Sequence, residues 1–125
     1  MPRPGRILIL IVEDETLVRM HGCDMLESAG FDVLEAESAD EAVKVLEEHD
    51  DVHLLFSDID MPGSMDGLEL AALVYRRWPR IGLLITSGHR RPEASAIPQD
   101  GRFLAKPWQE GAVVQHVRAI LGIMH

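Results

Sequence analysis

The sequence is short of most devices that would tie or anchor a chain from outside its own core. Its 125 residues include one cysteine, Cys23, so no internal disulfide can form, and a reducing, cytoplasmic location is expected. The longest uninterrupted apolar run, Ile7 to Val12, is far below the roughly 20 residues that cross a bilayer, and two prolines precede it. Neither a membrane span nor a secretory signal is expected. Positive charge is also scarce: 12 basic against 21 acidic residues leave a net charge of −9, which repels a phosphate backbone and argues against direct contact with nucleic acid. What is present, 46% apolar and 26% charged residues, suits one ordinary globular domain. A chain of this length buries about two-thirds of its unfolded surface and folds without staples.

Arg6–Val12, RILILIV, is a continuous aliphatic run of strand length, as expected for a strand covered on both faces. After the acidic cluster Glu13–Glu15, the helical spacing of Val18, Gly22, Met25 and Ala29 predicts a helix over about 15–29, stopped at Ala29-Gly30. Phe31–Glu35 alternates as a more exposed strand. Ser38, with Glu41 three residues on, then opens a second helix through a capping box. Val52–Ser57 is another buried strand, followed by the turn-rich DIDMPGSMDG. Asp66 caps a third helix over Gly67–Trp78, with Leu70, Leu73 and Val74 as its apolar stripe and Pro79 as its stop. Ile81–Thr86 and Arg102–Ala105 are further strands, and a last helix covers about 109–122 with Val113, Val114, Val117 and Leu121 inward. Between those strands, 87–101 holds Pro92 and Pro98, so any helix there is short or irregular. There is no internal repeat and no linker. Strands alternating with helices predict a single α/β domain, a doubly wound parallel sheet with right-handed crossovers.

In such sheets ligands bind beyond the carboxyl ends of the strands. Those positions hold Glu13-Asp14, Asp58 with Asp60 close behind, Thr86-Ser87, and Lys106-Pro107. Taken singly each has an ordinary explanation: acids complement a helix N-terminus, a lysine is solvated, a threonine caps. Together, three or four carboxylates on one rim repel unless a cation neutralises them, and hard oxygen ligands suit Mg²⁺. That ion usually works with a phosphate, and a carboxylate beside it can attack phosphorus in line. Asp58 is then the candidate nucleophile, Lys106 a point charge for phosphoryl oxygens, and Thr86 a hydroxyl donor.

VED at 12–14, SDIDMPG at 57–63, ITSG at 85–88 and FLAKPW at 103–108 resemble the receiver domains of two-component response regulators, over roughly 6–122. The resemblance implies one receiver domain over 1–125, five parallel strands in the order 2-1-3-4-5, and a phosphoacceptor that takes a phosphoryl group from the phosphohistidine of a sensor histidine kinase or phosphotransfer protein. It implies Asp58 as phosphoacceptor, with Glu13, Asp14, Asp58 and the main-chain carbonyl of Asp60 as Mg²⁺ ligands. Thr86 and Phe103 become switch residues, and Lys106 the phosphoryl-binding lysine, joined to Pro107 by a cis peptide bond. As a regulator the chain would catalyse only its own phosphorylation and dephosphorylation. The loop PGSMDG is one residue longer than the family's commonest form, and the broken 87–101 stretch alters the face built from helix four, strand five and helix five.

Two rivals remain. Asp58-Ile59-Asp60 also resembles the DxD of haloacid-dehalogenase-type phosphatases, but their metal-binding acidic pair follows the lysine, whereas only Glu110 does so here. A degenerate receiver that merely docks to a partner is the other. A flavodoxin-like FMN carrier is disfavoured because Glu13–Glu15 would repel the phosphate. The six histidines lack metal-ligand spacing. Finally, the predicted core side of the first helix leaves Met20, Cys23 and Glu27 facing water near the acidic rim, an expected docking spot for the kinase. Trp108, two residues past Lys106, should report on the rim, and Trp78, at the far end of its helix, should not.

Overall fold

The computed structural model describes residues 6–89 and 91–122; the outer limits of the expected 1–125 domain fall outside them. Five parallel strands, β1 (Leu8–Val12), β2 (Asp32–Ala36), β3 (Leu54–Asp58), β4 (Gly82–Ser87) and β5 (Arg102–Ala105), lie in the order β2-β1-β3-β4-β5. Among the described residues there are four helices: α1 (Thr16–Ser28), α2 (Ala39–Glu48) and α3 (Gly67–Arg77) supply crossovers, and α4 (Glu110–Leu121) follows β5. The doubly wound sheet expected from the alternation is therefore observed, with strand ends shifted by one or two residues. Among its described residues the β4–β5 connection carries only a three-residue 3-10 turn, Ala94–Ala96. Pro92 and Pro98 flank it, each without the N–H that a longer helix would need.

The caps follow the sequence. Ser38 accepts from the Glu41 N–H, and Asp66 and Glu69 exchange the two bonds of a capping box. β1 and β3 are buried at every position, as their unbroken aliphatic runs require.

Period-2 alternation divides the strands between two apolar layers. Leu8, Leu10, Leu55, Leu83 and Ile85 pack with Ala42 and Leu46 of α2 and Leu70 and Val74 of α3. Ile9, Ile11, Leu54, Phe56 and Leu84 pack on the other face with Met25 and Leu26 of α1, Val113 and Val117 of α4, and Trp108.

In α1 the expected core side is found, with Gly22 and Met25 buried and Val18 and Ala29 half-buried against the same layer, while Met20 and Glu27 are exposed; Cys23 departs from the expectation. The helix's buried residues are Arg19, Gly22, Cys23, Met25 and Leu26, so Cys23 faces the core, 8% exposed, while Met20 stays in solvent. The buried stripe is wider than predicted and takes in 19, 23 and 26 as well. Arg19, a charged residue, is held inward by the Glu13 carbonyl, to which it donates at 2.8 Å, and by the carboxylates of Glu35 and Glu37. Burial and the nearby carboxylates of Glu35 and Glu27 push the Cys23 thiol up to about 12.

Candidate functional site

The carboxyl ends of the strands converge because the ladder continues past them. Glu13 N donates to the Ala36 carbonyl at 3.1 Å, Ile59 N to that of Thr86 at 2.9 Å, and Lys106 N to that of Ser87 at 3.0 Å. These bonds hold the first residues beyond the strands in strand register. Side chains two apart share a face, so Glu13 follows Ile9 and Ile11, Asp58 follows Leu54 and Phe56, Thr86 follows Leu84, and Lys106 follows Leu104, all on the α1/α4 side.

Lys106 stands between the two innermost carboxylates. Its Nζ donates to Glu13 Oε1 at 2.6 Å and to Asp58 Oδ2 at 3.2 Å, with Glu13 1% and Asp58 4% exposed. Asp14, exposed at the rim, completes a cluster in which one oxygen from each of Glu13, Asp14 and Asp58 lies within 4.8 Å of the others. Burial pushes the Glu13 and Asp58 carboxyls above the usual carboxylate range even though Lys106 opposes it. Burial also acts against the Lys106 ammonium, but the bond to Glu13 and the charges of Asp58 and Glu13 hold it above the ordinary lysine range. Three carboxylates against one ammonium leave negative charge at a partly buried site. An all-oxygen donor set of this kind fits a small hard dication.

Backbone donors fix the remaining oxygens. Asp60 N donates to Asp58 Oδ1 at 3.2 Å, and Glu15 N to Glu13 Oε2 at 3.1 Å. The Asp60 side chain turns toward β4, where Oδ2 accepts from Ser87 Oγ at 2.7 Å, and Ser87 Oγ in turn accepts from His89 N. Gly67, the first residue of α3, sits directly on the Asp58 carbonyl; an added Cβ would strike that oxygen. The Lys106–Pro107 peptide bond is cis.

Thr86 is 2% exposed and in register with Asp58. Its hydroxyl accepts from Trp108 Nε1 at 2.8 Å. Phe103 packs instead with the α2/α3 layer, under the guanidinium of Arg91 at 5.3 Å. The two expected switch residues thus lie on opposite faces of the sheet. Three contacts were not anticipated from the sequence: Trp108 with Thr86, Ser87 with Asp60, and Arg19 with Glu13. For Trp108 the available signal was parity, since it lies two residues beyond Lys106. Arg19 carried none, because a basic residue in an amphipathic helix is ordinarily assigned to solvent.

A cavity of about 460 Å³ opens beside the rim, lined by Leu17, Val18 and His21 of α1 and by Gly88, Lys106, Pro107 and Trp108. Leu17 is 80% and Met20 53% exposed on the same helix. Trp78 lies at the end of α3 with the Arg77 guanidinium 4.3 Å above its ring. No helix among the described residues is long and apolar enough to cross a membrane.

Comparison with known proteins gives a consistent result. The family model of the response regulator receiver domain matches residues 9–118. The sensor kinase CckA of Brucella abortus is 36% identical over 121 residues, 94% of this chain but 13% of that protein. The response regulator receiver protein CpdR of the same organism is 31% identical over 117 residues, 90% of this chain and 95% of that one. The transcriptional regulatory protein GlrR of Escherichia coli is matched over only 25% of its length, so the chain spans a small part of CckA and GlrR and nearly all of CpdR. Among solved structures, a receiver protein from Sinorhizobium medicae superposes with a TM-score of 0.89 at 25% identity, covering 96% of this chain and 98% of that one. The receiver domain of the hybrid histidine kinase CckA superposes at 0.78 with 31% identity, covering 91% and 98%.

Proposed function

The chain belongs to the response regulator receiver domains of two-component systems, and from that premise we propose that Asp58 is its phosphoacceptor. The observation that carries this reading is the Lys106 ammonium held between two buried carboxylates at the ends of β1 and β3. A lysine on this rim can pass from Asp58 to an incoming phosphoryl oxygen without leaving the site.

The Asp58 carboxylate attacks phosphorus, the P–N bond of a phosphohistidine breaks, and the leaving imidazole keeps the electron pair and takes a proton; the product is an aspartyl phosphate. Asp60 N and Lys106 orient the carboxylate, and Lys106 then neutralises charge on the transferred group. Glu13, Asp14, Asp58 and the main-chain carbonyl of Asp60 would hold Mg²⁺, which when bound supplies positive charge to the crowded carboxylates and the phosphoryl oxygens. Thr86 offers its hydroxyl to the phosphoryl group, and Phe103 carries the change to the α2/α3 side. Beyond its own phosphorylation and dephosphorylation the chain turns over no substrate.

Leu17, Met20 and the cavity beside Trp108 form the face on which a histidine kinase or phosphotransfer protein docks. Cys23, buried, takes no part in it. Its place in the cytoplasm follows from that partnership.

The test is intact-mass measurement after incubation with acetyl phosphate and Mg²⁺. Wild type gains one phosphoryl mass and Asp58→Asn gains none; Lys106→Ala gains it more slowly. A full gain in Asp58→Asn would overturn the assignment. Met20→Lys should impair transfer from a phosphohistidine donor while acetyl phosphate still labels it. Equal loss from both donors would remove the docking role.

A further inference from the structure

The Thr86 hydroxyl has one proton and two lone pairs, and the Trp108 indole N–H is a donor only. The 2.8 Å contact between them therefore occupies a lone pair of Thr86 and leaves its proton free for an acceptor on the rim. Both groups are buried, Trp108 at 8% and Thr86 at 2% exposure, so the bond is shielded from water. Thr86 lies opposite Asp58 in the β3–β4 register.

The indole is also fixed on its other sides. Its ring stacks against His21 of α1, with centroids 6.2 Å apart and planes 9° apart, and meets Phe56 at 5.0 Å. Gly22 gives it room, because a Cβ there would come within 3.0 Å of the ring and would collide with Ile11. The same ring walls the cavity shared with Leu17 and Val18. While their bond holds, a movement of the Thr86 hydroxyl moves the indole and with it a wall of the α1 cavity.

We infer that Trp108 is a positioning residue that orients the Thr86 hydroxyl and relays its state to the α1 face, a route separate from Phe103 on the opposite side of the sheet. The inference rests on Asp58 being the phosphoacceptor. Its consequence is that the docking face for a phosphoryl donor differs before and after transfer, so the charged chain releases its donor through the wall formed by Trp108.

The experiment uses the full chain with Trp78→Phe, which leaves Trp108 as the sole indole. Acetyl phosphate and Mg²⁺ are added while Trp108 emission and intact mass are followed together. Emission should shift in proportion to the mass gain. In the added background of Thr86→Val, a near-isosteric change that removes the hydroxyl, the starting emission should differ and no further shift should accompany an equal fractional mass gain. In the added background of Phe103→Leu the shift should persist. Lys106 Nζ lies 5.7 Å from the ring centroid and could act on the indole directly. A shift that survives in Thr86→Val would assign the signal to that lysine and overturn the relay, as would a mass gain with unmoved emission. Absence of any mass gain in the Trp78→Phe chain and in wild type alike would overturn the phosphoacceptor reading itself.

Discussion

On the α2/α3 side of the sheet, Leu10, Leu55 and Leu83 meet Ala42, Leu46, Leu70 and Val74, and the apolar layer runs out to Ile59 and Met61 at the rim. On the α1/α4 side the same strands bury Ile9, Ile11, Phe56 and Leu84 and then end in Glu13, Asp58, Thr86 and Lys106. The backbone ladder is common to both faces; only parity separates them. Each of these polar side chains is the next residue along the row of a buried aliphatic or aromatic one. The site is thus the polar end of one core layer, and its geometry inherits that layer's packing. The opposite layer meets the site through backbone, where Gly67 of α3 lies against the Asp58 carbonyl.

Truncation on the two faces should show this most strongly. Leu70→Ala and Phe56→Ala each remove a fully buried side chain and should cost about 3–5 kcal/mol by loss of burial and cavity formation. Thermal or urea unfolding measures that cost. Among molecules that remain folded, Leu70→Ala should take phosphoryl mass as wild type does, whereas Phe56→Ala, whose ring supports Trp108, should label slowly and shift Trp108 emission. Equal labelling defects in both would break the division between faces.

The thiol gives the next largest effect. With Cys23 buried on the α1/α4 side and its thiol raised to about 12 from 9.0, reaction with an aromatic disulfide at pH 8 should be on the order of a thousandfold slower than in the urea-unfolded chain. Reaction of the native chain at the unfolded rate would place the thiol in water and restore the helix face predicted from sequence.

Mg²⁺ sharpens the comparison at the rim. Binding to the folded state alone contributes about 1.4 kcal/mol when free metal is roughly tenfold above Kd, a melting shift of several degrees. Asp14→Ala should abolish the shift and leave the metal-free melting temperature unchanged or higher, because one repelling carboxylate is gone. A full shift in that variant would put the ion elsewhere.

The smallest effect comes from His116 on α4, whose pKa is lowered by burial and by the charge of Arg102. A base that titrates lower in the fold than in the unfolded chain is neutral in the fold while the unfolded chain takes a proton. Its contribution is therefore intact above the unfolded value, near 6.5, and lost as pH falls from there through the folded value. Melting temperatures at pH 7.5 and 5.5 should differ less in His116→Gln than in wild type. An unchanged difference would remove His116 as a cause.

Much of this was legible in the linear chain because each signal was local. Aliphatic runs of strand length, the caps at Ser38 and Asp66, and the prolines at 92 and 98 each act within a few residues, and each produced the expected element or its absence. The rim residues were legible for a similar reason: parallel strands put every carboxyl end on one edge, so reading the residues after each strand recovers the site. Arg19 escaped the sequence because its partners, the Glu13 carbonyl and the carboxylates of Glu35 and Glu37, come together only when β1 and β2 pair.

The sequence by itself therefore determined the alternation of elements, their caps, and which residues stand at the strand ends, since propensity, hydrophobic period and turn chemistry are properties of neighbouring residues. Only the tertiary structure decided that Lys106 bridges Glu13 and Asp58, that Thr86 pairs with Trp108 while Phe103 lies on the other face, and that α1 turns Cys23 inward. Those pairings join residues distant in the chain, and their partners are chosen by strand register and side-chain parity, which exist only once the sheet has formed.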